Sequence, residues 1–192
     1  GGSAVLPAHL VQAFQVRSLA VCNVYGSTET GPFSIALGAA HAQSHCGSCG
    51  WPAQTKKLQV QVRLEARRDP SGSTTNDGIG ELCIRAPNVA QCYWPNLPLV
   101  DAQGYFHTGD LAFCAPDGSY TVVGRAKDML ISGGENIYPA EIENLLAAHP
   151  QIADCAVIGL PDPQWGEKVV ACVVLRAGQT VEAQAPLLLI RG

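Results

Sequence analysis

Tyr25-Gly26-Ser27-Thr28-Glu29 places an aromatic ring, two hydroxyls and a carboxylate within one turn of chain. Hydroxyls and backbone N–H groups bond phosphate oxygens, and a carboxylate is the hard oxygen donor that Mg2+ prefers. The same five residues also suit an ordinary polar turn. A second carboxylate, Asp110, closes the run Gly104-Tyr105-Phe106-His107-Thr108-Gly109. A carboxylate accepts several hydrogen bonds, so it either caps a strand or grips the paired hydroxyls of a ribose. Arg125 lies fifteen residues further on, beyond Asp117-Gly118, and a hairpin there returns it to the same rim. Its planar fork suits ribose or phosphate oxygens. The third stretch is Gly124–Glu143, where Arg125, Lys127 and Asp128 precede a short apolar strand, Met129–Ile131. A Gly133-Gly134 turn follows, then a helix start at Pro139 with Glu141 and Glu143 near the positive end of its dipole. Paired glycines bring backbone close to a ligand, or simply join a strand to a helix.

The elements that must position these groups are mostly strands. Leu19–Val24 reads as a buried strand running into the polar Tyr25–Glu29 loop. Leu58, Val60, Val62 and Leu64 alternate with Gln59, Gln61 and Arg63, the pattern of a half-buried strand. Residues 67–80 are polar and turn-rich and read as a surface loop, after which Glu81–Arg85 resumes a strand. Leu111–Cys114 and Tyr120–Val123 flank the Asp117-Gly118 turn. Beyond Gly124 the character changes. Pro139–His149 sets Ile142, Leu145 and Leu146 on one helical face, and Ile152–Leu160 and Lys168–Leu175 read as strands joined by Pro161–Gly166. A helix with two strands makes a small α+β unit of its own, so the boundary falls near Arg125–Lys127.

Composition narrows the function classes. With 192 residues, 47% hydrophobic, the chain can bury a real core. A net charge of -4 argues against non-specific nucleic-acid binding, which wants a basic face. No apolar run approaches the roughly 18 residues of a membrane span. The chain opens Gly1-Gly2-Ser3 without a methionine and reads as an excerpt of a longer protein. Of the eight cysteines, Cys22, Cys83, Cys114, Cys155 and Cys172 lie in apolar strand-like runs, where a thiol acts as a small hydrophobe. Cys46 and Cys49 have ligand spacing and no second CxxC accompanies them; His41 and His45 are nearby but lie in an irregular, loop-like run, so the pair reads as structural.

Tyr25-Gly26-Ser27-Thr28-Glu29, Thr108-Gly109-Asp110 and Gly124-Arg125-Ala126-Lys127-Asp128, in that order, resemble the adenylate-forming (AMP-binding) acyl-CoA synthetases. The run Gly133-Gly134-Glu135-Asn136-Ile137-Tyr138-Pro139 fits the fatty-acyl and related CoA ligase branch. Gly47–Pro52 resembles a linker loop of that family and Gly80–Arg85 its following strand, so the likeness runs from Gly1 to about Arg176. The resemblance implies a mixed α+β fold: the sheet-rich C-terminal part of a large AMP-binding domain over residues 1–126, then a small mobile C-terminal domain, incomplete, over 127–192.

It also implies a two-step ligase. A carboxylic acid, expected to be a fatty acid, attacks the α-phosphate of ATP, releasing pyrophosphate; the CoA thiol then displaces AMP. By the same resemblance Tyr25 would stack on adenine, beside Gly26 and Ser27. Thr28 would bond the α-phosphate and Glu29 would hold Mg2+. Asp110 would take the ribose hydroxyls with Arg125 beside it, and Gly2 would start a loop along the adenine pocket. Lys127 would be the hinge between half-reactions, and Gly133 and Gly134 would border the pantetheine channel. The family's phosphate loop and adenylation lysine have no counterpart within these residues; Lys168, after Trp165-Gly166-Glu167, is not that lysine. The isolated chain is therefore expected not to form adenylate at a useful rate. An adenylation domain serving a carrier protein and a non-catalytic nucleotide-binding remnant are the alternatives. The expected location is the cytoplasm, with organelle targeting left open. The acyl substrate and oligomeric state stay open too, with Gly31–Leu37 the segment that would touch the acid.

Overall fold

The computed structural model describes residues 8–67, 78–179 and 187–189. The chain divides into two compact units, Gly1–Ala126 and Lys127–Gly192. The architecture is mixed α+β and sheet-rich, with two α-helices among the described residues. No helix among them is long and apolar enough to cross a membrane.

The first unit opens with α1 (Ala8–Gln15), followed by a three-stranded antiparallel sheet of β1 (Val24–Ser27), β2 (Gly31–Ala36) and β3 (Trp51–Pro52). A four-stranded antiparallel sheet is ordered β4 (Gln61–Ala66), β5 (Ile79–Arg85), β8 (Phe106–Cys114), β9 (Tyr120–Arg125). The short pair β6 (Cys92–Tyr93) and β7 (Leu97–Pro98) lies between β5 and β8 in the chain. Strand periodicity sorts the residues of β4 and β5. Leu82 and Ile84 are fully buried in one core with Tyr25, Ile35, Val60, Phe106 and Val122, and Val62 and Leu64 pack against it. Burying each such aliphatic side chain contributes about 1.5–3 kcal/mol. Arg63, Glu65 and Glu81 occupy the intervening positions, and the outer face carries Tyr105 between the guanidiniums of Arg63 and Arg85, 4.4 and 4.9 Å from its ring centre.

Several expectations need correction. The buried strand begins at Val24 rather than Leu19, and it contains Tyr25–Ser27 instead of leading into them as a loop. The reason is a close hairpin. Tyr25 pairs Ile35 and Ser27 pairs Gly31, and a Cβ on Gly26 would lie 2.0 Å from the Gly31 carbonyl oxygen. Leu19 and Cys22 are exposed, and Cys114 and Cys155 are half-buried; Cys83 and Cys172 are the two strand cysteines that are buried as expected. Cys49 is also buried, its sulfur accepting Asn23 Nδ2 at 3.7 Å, and its N–H donates to the Tyr120 carbonyl at 2.8 Å. The CxxC segment thus edges β9 as part of the frame. The expected loop 67–80 falls largely outside the described residues, and its last two residues already belong to β5.

In the second unit, β10 (Leu130–Ser132) and β11 (Glu135–Ile137) form a hairpin whose two-residue turn is Gly133-Gly134, with φ of +60° and +87°. Both positions are left-handed, which the favoured two-residue hairpin turn demands. A Cβ on Gly133 would also sit 2.7 Å from the Trp165 ring. The segment before the helix is therefore strand-turn-strand, one strand more than expected. Helix α2 (Pro139–Ala147) starts at the expected proline and ends short of His149. It docks on β12 (Ile152–Asp162), where Glu143 Oε1 accepts the Val157 N–H at 2.8 Å. β12 pairs β13 (Gly166–Leu175) along nearly their whole lengths, so both strands run further than their hydrophobic stretches. The short β14 (Leu187–Leu189) pairs β13 in parallel.

Candidate functional site

The site begins with an irregularity in the second sheet. Between the pairs Cys83↔His107 and Glu81↔Leu111, β5 contributes one residue, Leu82, while β8 contributes three: Thr108, Gly109 and Asp110. This enlarged bulge is internally bonded. Thr108 Oγ1 donates to the Leu82 carbonyl at 2.7 Å and accepts the Asp110 N–H at 3.1 Å, while the Gly109 N–H donates to Glu81 Oε1 at 3.0 Å. Gly109 has φ +72°, a conformation open to glycine at no steric cost. Asp110 is thus inside a strand, not at its start, and the bulge re-aims its side chain.

Asp110 is 5% exposed, yet its carboxylate is matched. Oδ2 accepts the Tyr25 hydroxyl at 2.6 Å, and Oδ1 pairs with Arg125 Nε at 2.8 Å. The β8–β9 register places Asp110 directly opposite Arg125, so the hairpin at Asp117-Gly118 fixes this pair. Burial, reinforced by the neighbouring carboxylate, pushes the Tyr25 phenol well above its ordinary range and keeps it a donor. Two of the roughly four lone-pair positions on a carboxylate are then taken, and two remain for a ligand.

Asp110 and Arg125 line a cavity of about 420 Å³ together with Ser27, Glu29, Tyr93 and Thr108. That volume falls in the range of small-molecule sites, about 300–1,000 Å³. Its wall also includes Leu97, Leu99 and Phe106, giving an apolar surface beside the polar groups. Glu29 reaches it from the β1–β2 turn, with Oε1 accepting the Tyr93 hydroxyl at 2.7 Å. Donation by Tyr93, then by Ser27, holds the Glu29 carboxyl below its ordinary value. An ionised carboxylate with acceptor positions left over fits a hard divalent cation.

The sequence-derived site residues therefore divide. Tyr25, Ser27, Glu29, Asp110 and Arg125 come together. Tyr25 does so in a different capacity, because its residue is 2% exposed and its ring belongs to the core; no open face is left for stacking, and its hydroxyl is what reaches Asp110. Gly26 serves the hairpin crossing and does not line the cavity. Thr28 is exposed at the turn and is not among the lining residues. Lys127 is exposed in a single 3-10 turn, Ala126–Asp128, and opens the second unit. Gly133 and Gly134 form the hairpin turn of that unit. Gly2 lies outside the described residues. Tyr93 is the partner that sequence reasoning missed: it sits 64 residues from Glu29, and only the β6–β7 hairpin brings it near.

Two family models match the chain, "AMP-binding enzyme" over residues 1–94 and "AMP-binding enzyme C-terminal domain" over residues 141–189. The indoleacetate–CoA ligase of Aromatoleum aromaticum is 42% identical over 194 residues, covering 100% of this chain and 37% of the relative. A feruloyl-CoA synthase of an Amycolatopsis species is 42% identical over 195 residues, covering 99% of this chain and 38% of the relative. The chain thus spans less than two-fifths of the length of these curated relatives. Among solved structures, o-succinylbenzoate CoA synthetase from Bacillus subtilis in complex with its acyl-adenylate intermediate superposes with a TM-score of 0.80 at 28% identity, covering 99% of this chain and 41% of that one. ATP-bound MatB from Rhodopseudomonas palustris gives a TM-score of 0.80 at 29% identity, covering 98% and 40%. A bulge-held carboxylate beside a ligand-sized cavity, two models that meet the chain in family order and relatives aligned along its length lead to one assignment: the chain belongs to the AMP-binding enzyme family.

Proposed function

We propose that this chain is the nucleotide-binding and C-terminal-domain portion of an ATP-dependent carboxylic acid–CoA ligase. The carrying observation is Asp110, a buried carboxylate oriented by Tyr25 and Arg125 at the cavity wall with acceptor capacity to spare. Vicinal ribose hydroxyls would donate to it, and Arg125 would lie beside the same sugar. The acid's carboxylate attacks the α-phosphate, pyrophosphate leaves, and the thiol of CoA then takes the acyl group from AMP. Mg2+, held by Glu29, would supply positive charge against the phosphate oxygens. Thr28, at the same turn, is proposed to bond the α-phosphate. Lys127 is proposed as the pivot of the C-terminal domain, and the Gly133-Gly134 turn as backbone open to the pantetheine arm. Residues 1–126 are proposed to belong to the large domain and 127–192 to the mobile one. The 192 residues by themselves are proposed not to carry out adenylation, and the cytoplasm is proposed as the location of the whole protein.

A fatty acid remains the proposed substrate, supported by likeness to a medium/long-chain fatty-acid–CoA ligase of Mycobacterium tuberculosis, 39% identical over 184 residues. The indoleacetate and feruloyl relatives favour an aromatic acid instead. The reading is tested by measuring AMP release from the complete protein with fatty and aryl acids. Strong stimulation by free CoA is expected; release that needs a carrier protein instead would replace CoA by the acceptor named in a 38% identical fatty acid–[acyl-carrier-protein] ligase of Streptomyces coeruleorubidus.

Tyr93 gives this reading a pH signature. Because its hydroxyl is the foremost group holding the Glu29 carboxyl down, Glu29 stays ionised further into acid than a free carboxylate. Tyr93→Phe removes that donor, so the acid limb of magnesium-dependent ATP binding is expected to move to higher pH, with neutral-pH affinity little changed. An acid limb that stays put in the Phe variant would detach Glu29 from the cation.

A further inference from the structure

The outer face of the second sheet gathers three donors of different chemistry at one point. The β4–β5 register sets Arg63 opposite Cys83 and Glu65 opposite Glu81, and β8 adds His107 opposite Cys83. Cys83 Sγ lies 3.5 Å from His107 Nδ1 and 3.8 Å from Glu65 Oε2, and His107 Nδ1 lies 3.7 Å from Glu65 Oε2. Zinc bonds of ~2.3 Å to sulfur and ~2.0–2.2 Å to nitrogen and oxygen give tetrahedral ligand edges of roughly 3.3–3.6 Å. No edge of the present triangle would have to shrink by more than about half an ångström to match. Among the described residues this trio is the set of ligand-type side chains close enough to share an ion.

The surroundings agree with a cation. His107 points Nδ1 at the shared space, while Nε2 faces Asp101 Oδ2 at 3.4 Å. A carboxylate behind the far nitrogen is the usual support of a metal-bound imidazole, since it fixes the proton on that side. Asp101 is itself anchored by the N–H groups of Tyr105 and Gln103, at 2.9 and 2.8 Å. Glu81 Oε2 adds a further carboxylate 3.5 Å from Nδ1. Arg63 is paired to both Asp101 and Glu65, at 3.0 and 3.3 Å, and also bonds the Cys83 thiol, while three carboxylates, Asp101, Glu65 and Glu81, face the same region. Mixed sulfur, nitrogen and oxygen donors suit zinc and its neighbours, and not the all-oxygen preference of magnesium or calcium.

We propose that Glu65, Cys83 and His107 form a site for a borderline-soft divalent cation, zinc foremost, with the fourth position open to solvent. The ion would clamp β4, β5 and β8 one residue before the Thr108-Gly109-Asp110 bulge. His107 also lines the cavity, so the clamp would hold part of its wall.

The test is a titration of the metal-stripped full chain with Co2+, then Zn2+. One equivalent of cobalt is expected to give a thiolate-to-metal charge-transfer absorption that zinc abolishes, and zinc is expected to raise the melting temperature. Glu65→Gln and His107→Gln should each weaken cobalt binding at least tenfold, and Cys83→Ser should remove the absorption. Cys46→Ala should change nothing. Glu65 is exposed, so its variant leaves the core intact and decides the question even where Cys83→Ser does not fold. Absence of the absorption, unchanged affinity in Glu65→Gln, or loss in Cys46→Ala would each overturn the site.

Discussion

Asp110→Ala in the complete protein is expected to weaken AMP binding by about 100-fold or more. Hydrogen bonds to a charged acceptor are worth about 1.5–3 kcal/mol each, and a ribose diol would make two. Together that is ~3 kcal/mol or more, and each 1.4 kcal/mol is a factor of about ten. The substitution also strands two groups. The Tyr25 hydroxyl, inside the core, loses its acceptor, which costs about 1–3 kcal/mol of stability. Arg125, whose side chain is 37% exposed, turns to water at little cost. Asp110→Asn separates the effects, because the amide oxygen still accepts from Tyr25 while the charge that grips the diol is gone. It should fold like the parent and still bind AMP weakly. A folded Asn variant with affinity within about threefold of the parent would remove Asp110 from the nucleotide site.

Lys127→Pro carries the second large effect. Lys127 is exposed and sits in the turn Ala126–Asp128, so its replacement disturbs no packing. Proline fixes φ at this residue and drives the preceding one, Ala126, away from helical values. If rotation at Lys127 carries the C-terminal domain between half-reactions, thioester formation should fall roughly tenfold or more while adenylate formation changes little, since only one of the two steps then needs the lost conformations. The measurement is a split assay: ATP–pyrophosphate exchange for the first step, and single-turnover acyl-CoA formation from preformed adenylate for the second. Equal loss in both would sink the hinge and leave a general folding defect.

Local chemistry explains how far the sequence could be read. The Asp117-Gly118 hairpin, the alternation through Val60, Val62 and Leu64, and the proline start of α2 depend on near neighbours, and all three were legible. The pairing of Asp110 with Arg125 followed, because a short hairpin returns the chain to the same rim. The failures come from distance and from two-sided demands. Leu19–Val24 looked like a buried strand on hydrophobicity alone, but the hairpin needed Gly26, which lets backbone pass where a Cβ cannot, and so drew Tyr25 into the sheet. Once there, Tyr25 faced the core, which closed its ring to stacking. Tyr93 could not be joined to Glu29, nor His107 to Cys83 and Glu65, because strand register across long intervals makes those contacts. β11 was hidden because its three residues, between a glycine turn and a proline, carry no periodicity to read.

The bulge at Thr108–Asp110 also sets which genetic lesions the site tolerates. β8 spends three residues where β5 spends one, so the position of Asp110 is set by a count as much as by an identity. A substitution at a neighbouring position alters one contact. Removing Gly109 and Asp110 would leave Thr108 opposite Leu82, letting the ladder close into regular pairing without the Asp110 carboxylate at the cavity. In this chain the reading frame of the strand, measured in residues against its partner, is part of what brings Asp110 to the cavity.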